Sequence, residues 1–125
     1  MSEQLGLGLR IHGGRQARPE ASRRPARRRY AYGAEVERRA RDRLRRIGYH
    51  VTRSAASRQA ADLVAIGHDD LFLVQVRAGD RRPSEAEREQ ALQALAEIPT
   101  PEGATVRREL WFWDTITRTW DRWQA

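Results

Sequence analysis

Two short apolar runs, Asp62–Ile66 and Leu71–Arg77, face each other across Gly67-His68-Asp69-Asp70, and no other feature restricts this chain as much. Runs of this length around a Gly/Asp turn read as a β-hairpin. Their apolar character predicts burial on both faces of a sheet. Period-two alternation puts Gln75 and Arg77 on one face of the second strand, with Val74 and Val76 on the other. A carboxylate, Asp62, opens the neighbouring strand. Polar side chains so placed predict a compact pocket suited to a divalent cation and a phosphate.

The rest of the chain supplies layers for such a sheet. Residues 34–47 place Val36, Ala40, Leu44 and Ile47 at helical spacing, one apolar stripe on a charged helix, and Gly48 suits the left-handed position that ends it. His50–Arg53 reads as a short strand and residues 54–60 as a polar loop. Ser84 with Glu87 three residues later forms a capping box, so a second helix is expected from about Glu85 to Glu97, burying Ala91, Leu92, Leu95 and Ile98. After the break at Pro99–Gly103, two strands are expected near Val106–Trp113 and Thr119–Trp123. The order αβββαββ defines an α/β fold, a mixed central sheet flanked by helices.

Charge divides the chain. Residues 1–29 hold eight arginines against Glu3 and Glu20, +6 of a total of +7, with few large apolar residues to offset their ordering entropy. They are expected to form a disordered Arg-rich arm, followed by one domain over residues 30–125. A basic arm beside a nearly neutral domain is suited to nucleic acid, where neutralised phosphates release counterions. The 125 residues contain no cysteine, which excludes disulfides and thiolate metal sites. No apolar run is long enough to span a bilayer and the start lacks a secretory pattern, so the expected location is cytoplasmic. All 24 basic residues are arginine, so any role ordinarily given to lysine falls to another residue.

Residues 32–123 resemble the archaeal-type Holliday-junction resolvases of the PD-(D/E)xK nuclease superfamily. The likeness is carried by the helix Gly33-Ala34-Glu35-Val36-Glu37-Arg38, by Arg53-Ser54-Ala55-Ala56-Ser57, by Asp62-Leu63-Val64-Ala65, by Gln75-Val76-Arg77, and by the late aromatic strands around Trp111, Trp113, Trp120 and Trp123. The resemblance implies a restriction-endonuclease-like αβββαββ core and a homodimer making paired nicks in branched or four-way DNA. It implies Mg²⁺ or Mn²⁺ as cofactor, held by Glu37, Asp62, Gln75 and the carbonyl of Val76. It also assigns catalysis to Glu37, Asp62, Gln75 and Arg77, and DNA contacts to Arg53, Ser54, Ser57 and Arg58. Two positions depart from the family pattern, since Gln75 replaces a glutamate and Arg77 a lysine. The glutamine keeps an oxygen ligand but removes a charge. The arginine keeps a cation with a phosphate-matching fork but cannot act as a base.

Other readings of the same residues stay open. Asp62 alone is also a strand-end cap, and Glu37 an ordinary helix-surface glutamate able to pair with Arg41 four residues on. The fold is equally that of a DNA-binding relative without catalysis, or of an interaction module whose aromatic strands bind a protein. The tryptophans are expected in the core or a subunit contact rather than as base-stacking platforms.

Overall fold

Val36, Ala40 and Leu44 lie one turn apart and are all buried, and they seat the first helix, α1 (Ala26–Arg46), on the sheet. The computed structural model describes residues 26–54 and 60–125, with side chains from Tyr32 onward. The helix begins eight residues earlier than its apolar stripe predicts, so Ala26–Arg29 belong to it and not to the arm. Alanine and arginine are good helix formers, and they make up most of Ala26–Arg46, where Gly33 is the weakest residue. The remainder of the predicted arm, residues 1–25, lies outside the described residues. Gly48, with φ +105°, terminates the helix as expected, and Ile47 beside it is exposed rather than buried.

The strands are β1 (His50–Arg53), β2 (Leu63–Ile66), β3 (Asp70–Gly79), β4 (Thr105–Asp114) and β5 (Thr119–Gln124), ordered β1-β2-β3-β4-β5. All neighbours are antiparallel except β3 and β4, which run parallel over ten residue pairs. A parallel pair needs a long crossover, and here it contains α2 (Glu85–Ala96). That helix carries the predicted capping box, with Ser84 Oγ accepting from the Glu87 amide at 3.1 Å and Glu87 Oε1 accepting from the Ser84 amide at 2.8 Å. The architecture is therefore the expected α/β one: two helices and a five-stranded mixed sheet in αβββαββ order.

Each face of the sheet has its own core. On the α1 side Leu63, Ala65, Phe72, Val74, Trp111, Trp113 and Trp120 pack with the helix stripe, and on the other Leu73 packs with Ala61 and Leu95 of α2. Edge-to-face contacts link Tyr49, Phe72, Trp111, Trp120 and Trp113 in series, with centroids 5.1–6.0 Å apart. Three tryptophans are thus core, as expected. Trp123 is half-buried between the guanidinium groups of Arg82 and Arg88, at 5.5 and 5.1 Å.

The hairpin turn has no room for a side chain at its first residue. A Cβ on Gly67 would lie 2.5 Å from Asp70 Oδ1 and 2.9 Å from the Tyr49 ring. That ring is pinned by its hydroxyl, which donates to Asp70 Oδ2 at 2.7 Å, and by its contact with Phe72. Gly67→Ala is accordingly expected to cost about 1–3 kcal/mol through overpacking. A denaturant midpoint equal to the wild type's would show that the turn yields freely.

Candidate functional site

Asp62 stands where the β2–β3 ladder ends. Leu63 is aligned with Val74, yet the Asp62 amide also donates to the Val74 carbonyl, at 2.9 Å. Asp62 and Leu63 therefore both face Val74, the two-against-one arrangement of a β-bulge, which re-aims a side chain at a sheet end. On its other side Asp62 remains in register, its carbonyl accepting from the Ser54 amide at 2.8 Å. The re-aimed carboxylate accepts the Val76 amide on Oδ2 at 2.8 Å. In that respect Asp62 is a strand-end cap.

It is also an unusual carboxylate. Burial pushes its pKa up from 3.8 to about 6, against the lowering effect of the Val76 amide. The charge of Glu37 raises it further, and those of Arg77 and Arg53 lower it. Asp62 thus lies within electrostatic reach of three of the residues singled out from sequence, which belong to α1, β3 and β1. A perturbed carboxylate among convergent charges is a recurrent property of functional sites.

Glu37 pairs with Arg53, not Arg41: Nε of Arg53 donates to Glu37 Oε1 at 2.7 Å. Arg41 contacts Asp42 at 3.3 Å instead. The bond holds the end of β1 to α1, and it engages the arginine expected to meet phosphate. Gln75 and Arg77 share a face as predicted, alternating with Val74 and Val76, which pack against the α1-side cluster. Arg77 is exposed and acts on Asp62 and on Glu87 of α2 alike. Gln75 Oε1 is buried and has no hydrogen-bond partner among the described residues. An orphaned amide oxygen costs about 1–3 kcal/mol unless something binds it. Ser57 and Arg58 lie outside the described residues, so their expected DNA contacts have no structural counterpart.

Asp62, Glu37, the orphaned Gln75 Oε1 and the Val76 carbonyl are all hard oxygen donors of the kind Mg²⁺ takes. The donors suit such a cation in kind, but Gln75 lies on the α2 side of β3 and Glu37 on α1 across the sheet, and of the two carboxylates Glu37 is already paired. Among the described residues no group of three or more His, Asp or Glu side chains is arranged to hold a metal.

Sequence reasoning missed a second charged centre. Glu109 is fully buried and accepts from Arg122 Nη2 and Nε at 2.9 and 3.0 Å, Trp111 Nε1 at 2.9 Å, Arg107 Nη2 at 3.2 Å and Gln124 Nε2 at 3.4 Å. Its one visible signal was a carboxylate heading the run Leu110-Trp111-Phe112-Trp113. With two arginines and satisfied donors around it, this centre knits β4 to β5.

Compared with known proteins, the chain matches no family model and no curated sequence. No helix among the described residues is long and apolar enough to cross a membrane.

Proposed function

We propose that this protein is a Mg²⁺- or Mn²⁺-dependent, structure-selective endonuclease of the resolvase type, hydrolysing phosphodiester bonds in branched or four-way DNA as a homodimer. The observation that carries the proposal is a half-buried Asp62 carboxyl at the end of a sheet, its pKa raised to about 6 and reached by the charges of Glu37, Arg77 and Arg53. Gln75, on the strand that bears Arg77, adds a buried oxygen that lacks a partner.

The roles follow from the chemistry of each group. Asp62 is ionised above about pH 6, so at neutral pH it presents a carboxylate to a cation. With it, Glu37, Gln75 Oε1 and the Val76 carbonyl would hold the metal, which supplies charge neutralisation at the phosphoryl oxygen and a more acidic bound water. Arg77 offers a planar, cationic fork to the phosphate. The Arg53–Glu37 bond fixes the orientation of Glu37.

Gln75→Glu discriminates this proposal from its rivals. Replacing the orphaned amide by a carboxylate should lower the Mg²⁺ concentration for half-maximal cleavage by on the order of tenfold, since ligand charge count tunes affinity. Titrating Mg²⁺ against nicking of a labelled four-way junction checks this, and a variant needing more metal than the wild type would contradict the assigned role.

One set of observations favours a second reading, a nuclease-fold DNA-binding protein without catalysis. Glu37 is engaged by Arg53 and Asp62 by the Val76 amide. Incubating a labelled junction with and without Mg²⁺ or Mn²⁺ decides between the two: metal-dependent nicks support the first, and salt-sensitive binding without nicks the second.

A further inference from the structure

The charge of this chain is divided by layer. Among the residues whose side chains are described, 32–54, which include most of α1 and all of β1, carry seven arginines against three carboxylates, a net +4. The helix on the other face, α2, carries Arg88 against Glu85, Glu87 and Glu89, a net −2. The two helices cover opposite faces of the sheet, α1 through Val36, Ala40 and Leu44 and α2 through Ala91 and Leu95. On α2 the exposed charges include Glu85, Glu87 and Glu89. A polyanion is drawn to the outer surface of α1 and repelled from that of α2.

The positive layer has internal order. At 3.6 residues per turn, the buried stripe of α1 leaves Arg38 and Arg45 on its far side, and both are exposed. Arg41 lies on the flank that carries Glu37, four residues away. Arg45 Nη2 reaches over β1 to the Val51 carbonyl at 3.4 Å, and Arg53 ends that strand, bonded to Glu37. A strip of Arg53, Arg41, Arg38 and Arg45 therefore adjoins Asp62 and runs towards the end of α1. From Glu37 to Arg45 it rises about 12 Å, three to four base-pair steps of duplex. The carboxylates of the helix are Glu35, which pairs with Arg39 at 3.7 Å, Glu37, which pairs with Arg53 at 2.7 Å, and Asp42, which pairs with Arg41 at 3.3 Å.

We infer that this α1–β1 strip is the track for one backbone of a duplex DNA arm leading away from the Asp62 site, and that the outer, solvent-facing surface of α2 around Glu85 and Glu89 stays clear of DNA. The inference rests on the nuclease proposal above and adds to it the face that meets the duplex. Its contacts are to phosphate, which positions an arm without reading its sequence, as recognition of branched DNA by shape requires.

The test is a salt titration of binding between the full-length protein and a labelled four-way junction, read by fluorescence anisotropy. The Arg38→Glu/Arg45→Glu protein should show a log–log salt slope reduced by roughly two and an affinity lowered on the order of 100-fold near physiological salt. A control on the other face, Glu89→Arg/Gln90→Arg, should keep the wild-type slope. If the charge-reversed protein misfolds by circular dichroism, Arg38→Gln/Arg45→Gln is used, with a slope reduced by one to two. A wild-type slope in the folded α1 variant, or an equal slope change in the α2 variant, overturns the inference and leaves the nuclease proposal standing. Wild-type protein that binds phosphatidylserine vesicles but no DNA at any salt overturns both.

Discussion

Asp62→Ala is expected to reduce metal-dependent cleavage of a four-way junction by about 10³-fold, to background, while junction binding changes little. The variant removes the carboxylate that reaches Glu37, Arg77 and Arg53 electrostatically and leaves the Val76 amide without its acceptor. The arginines proposed to meet phosphate are unchanged, so affinity for DNA is expected to be retained. Cleavage at the wild-type rate would show that the chemistry lies elsewhere.

The same residue makes a stability prediction of opposite sign, best read with asparagine, whose carbonyl can still accept from Val76. The folded pKa of Asp62 is raised from 3.8 to about 6, so the folded chain holds the proton more tightly than the unfolded one. The stability this supplies is complete below pH 3.8 and disappears as pH rises through about 6. Above that, the buried charge is a burden of about 1–2 kcal/mol once solvent screening of this partly exposed group is allowed for. Asp62→Asn should therefore be more stable than the wild type at pH 7.5 and lose the dependence between pH 4 and 6. Thermal melts of both proteins across that range check it. A carboxylate kept only as a cap would give the reverse, a variant weaker than the wild type at neutral pH.

The largest loss of stability is expected at Glu109. Glu109→Ala leaves Arg122, itself almost fully buried, without the carboxylate that accepts from both Nη2 and Nε. Breaking a buried pair from one side costs about 3–5 kcal/mol, much of a typical domain's stability. The Trp111 indole and the Gln124 amide lose their acceptor at the same time. Urea denaturation should show the drop, and Glu109→Leu combined with Arg122→Met should recover a large part of it by removing both charges. A single-variant loss under about 1 kcal/mol would mean that water reaches the guanidinium and that β4 and β5 hold together without this centre.

Much of the architecture was legible because it depends on local rules. The Val36-Ala40-Leu44 stripe, the Ser84–Glu87 cap, Gly48 and the Gly67–Asp70 turn each act over a few residues, and each appears where periodicity or capping chemistry places it. The start of α1 was not legible, because arginine and alanine sustain a helix without an apolar stripe to betray it. In the site, alternation correctly paired Gln75 with Arg77, but nothing in the sequence marks the bulge that turns Asp62 onto the Val76 amide.

By itself, then, the chain determined the order of helices and strands, most of the residues they bury, and which polar residues punctuate the hairpin, since those follow from spacing and propensity. Tertiary structure alone decided that Arg53 engages Glu37, that Glu109 gathers Arg107 and Arg122, and that Asp62 keeps its proton to about pH 6. Those outcomes depend on desolvation and on charges brought together from distant segments, and both exist only after the layers have closed.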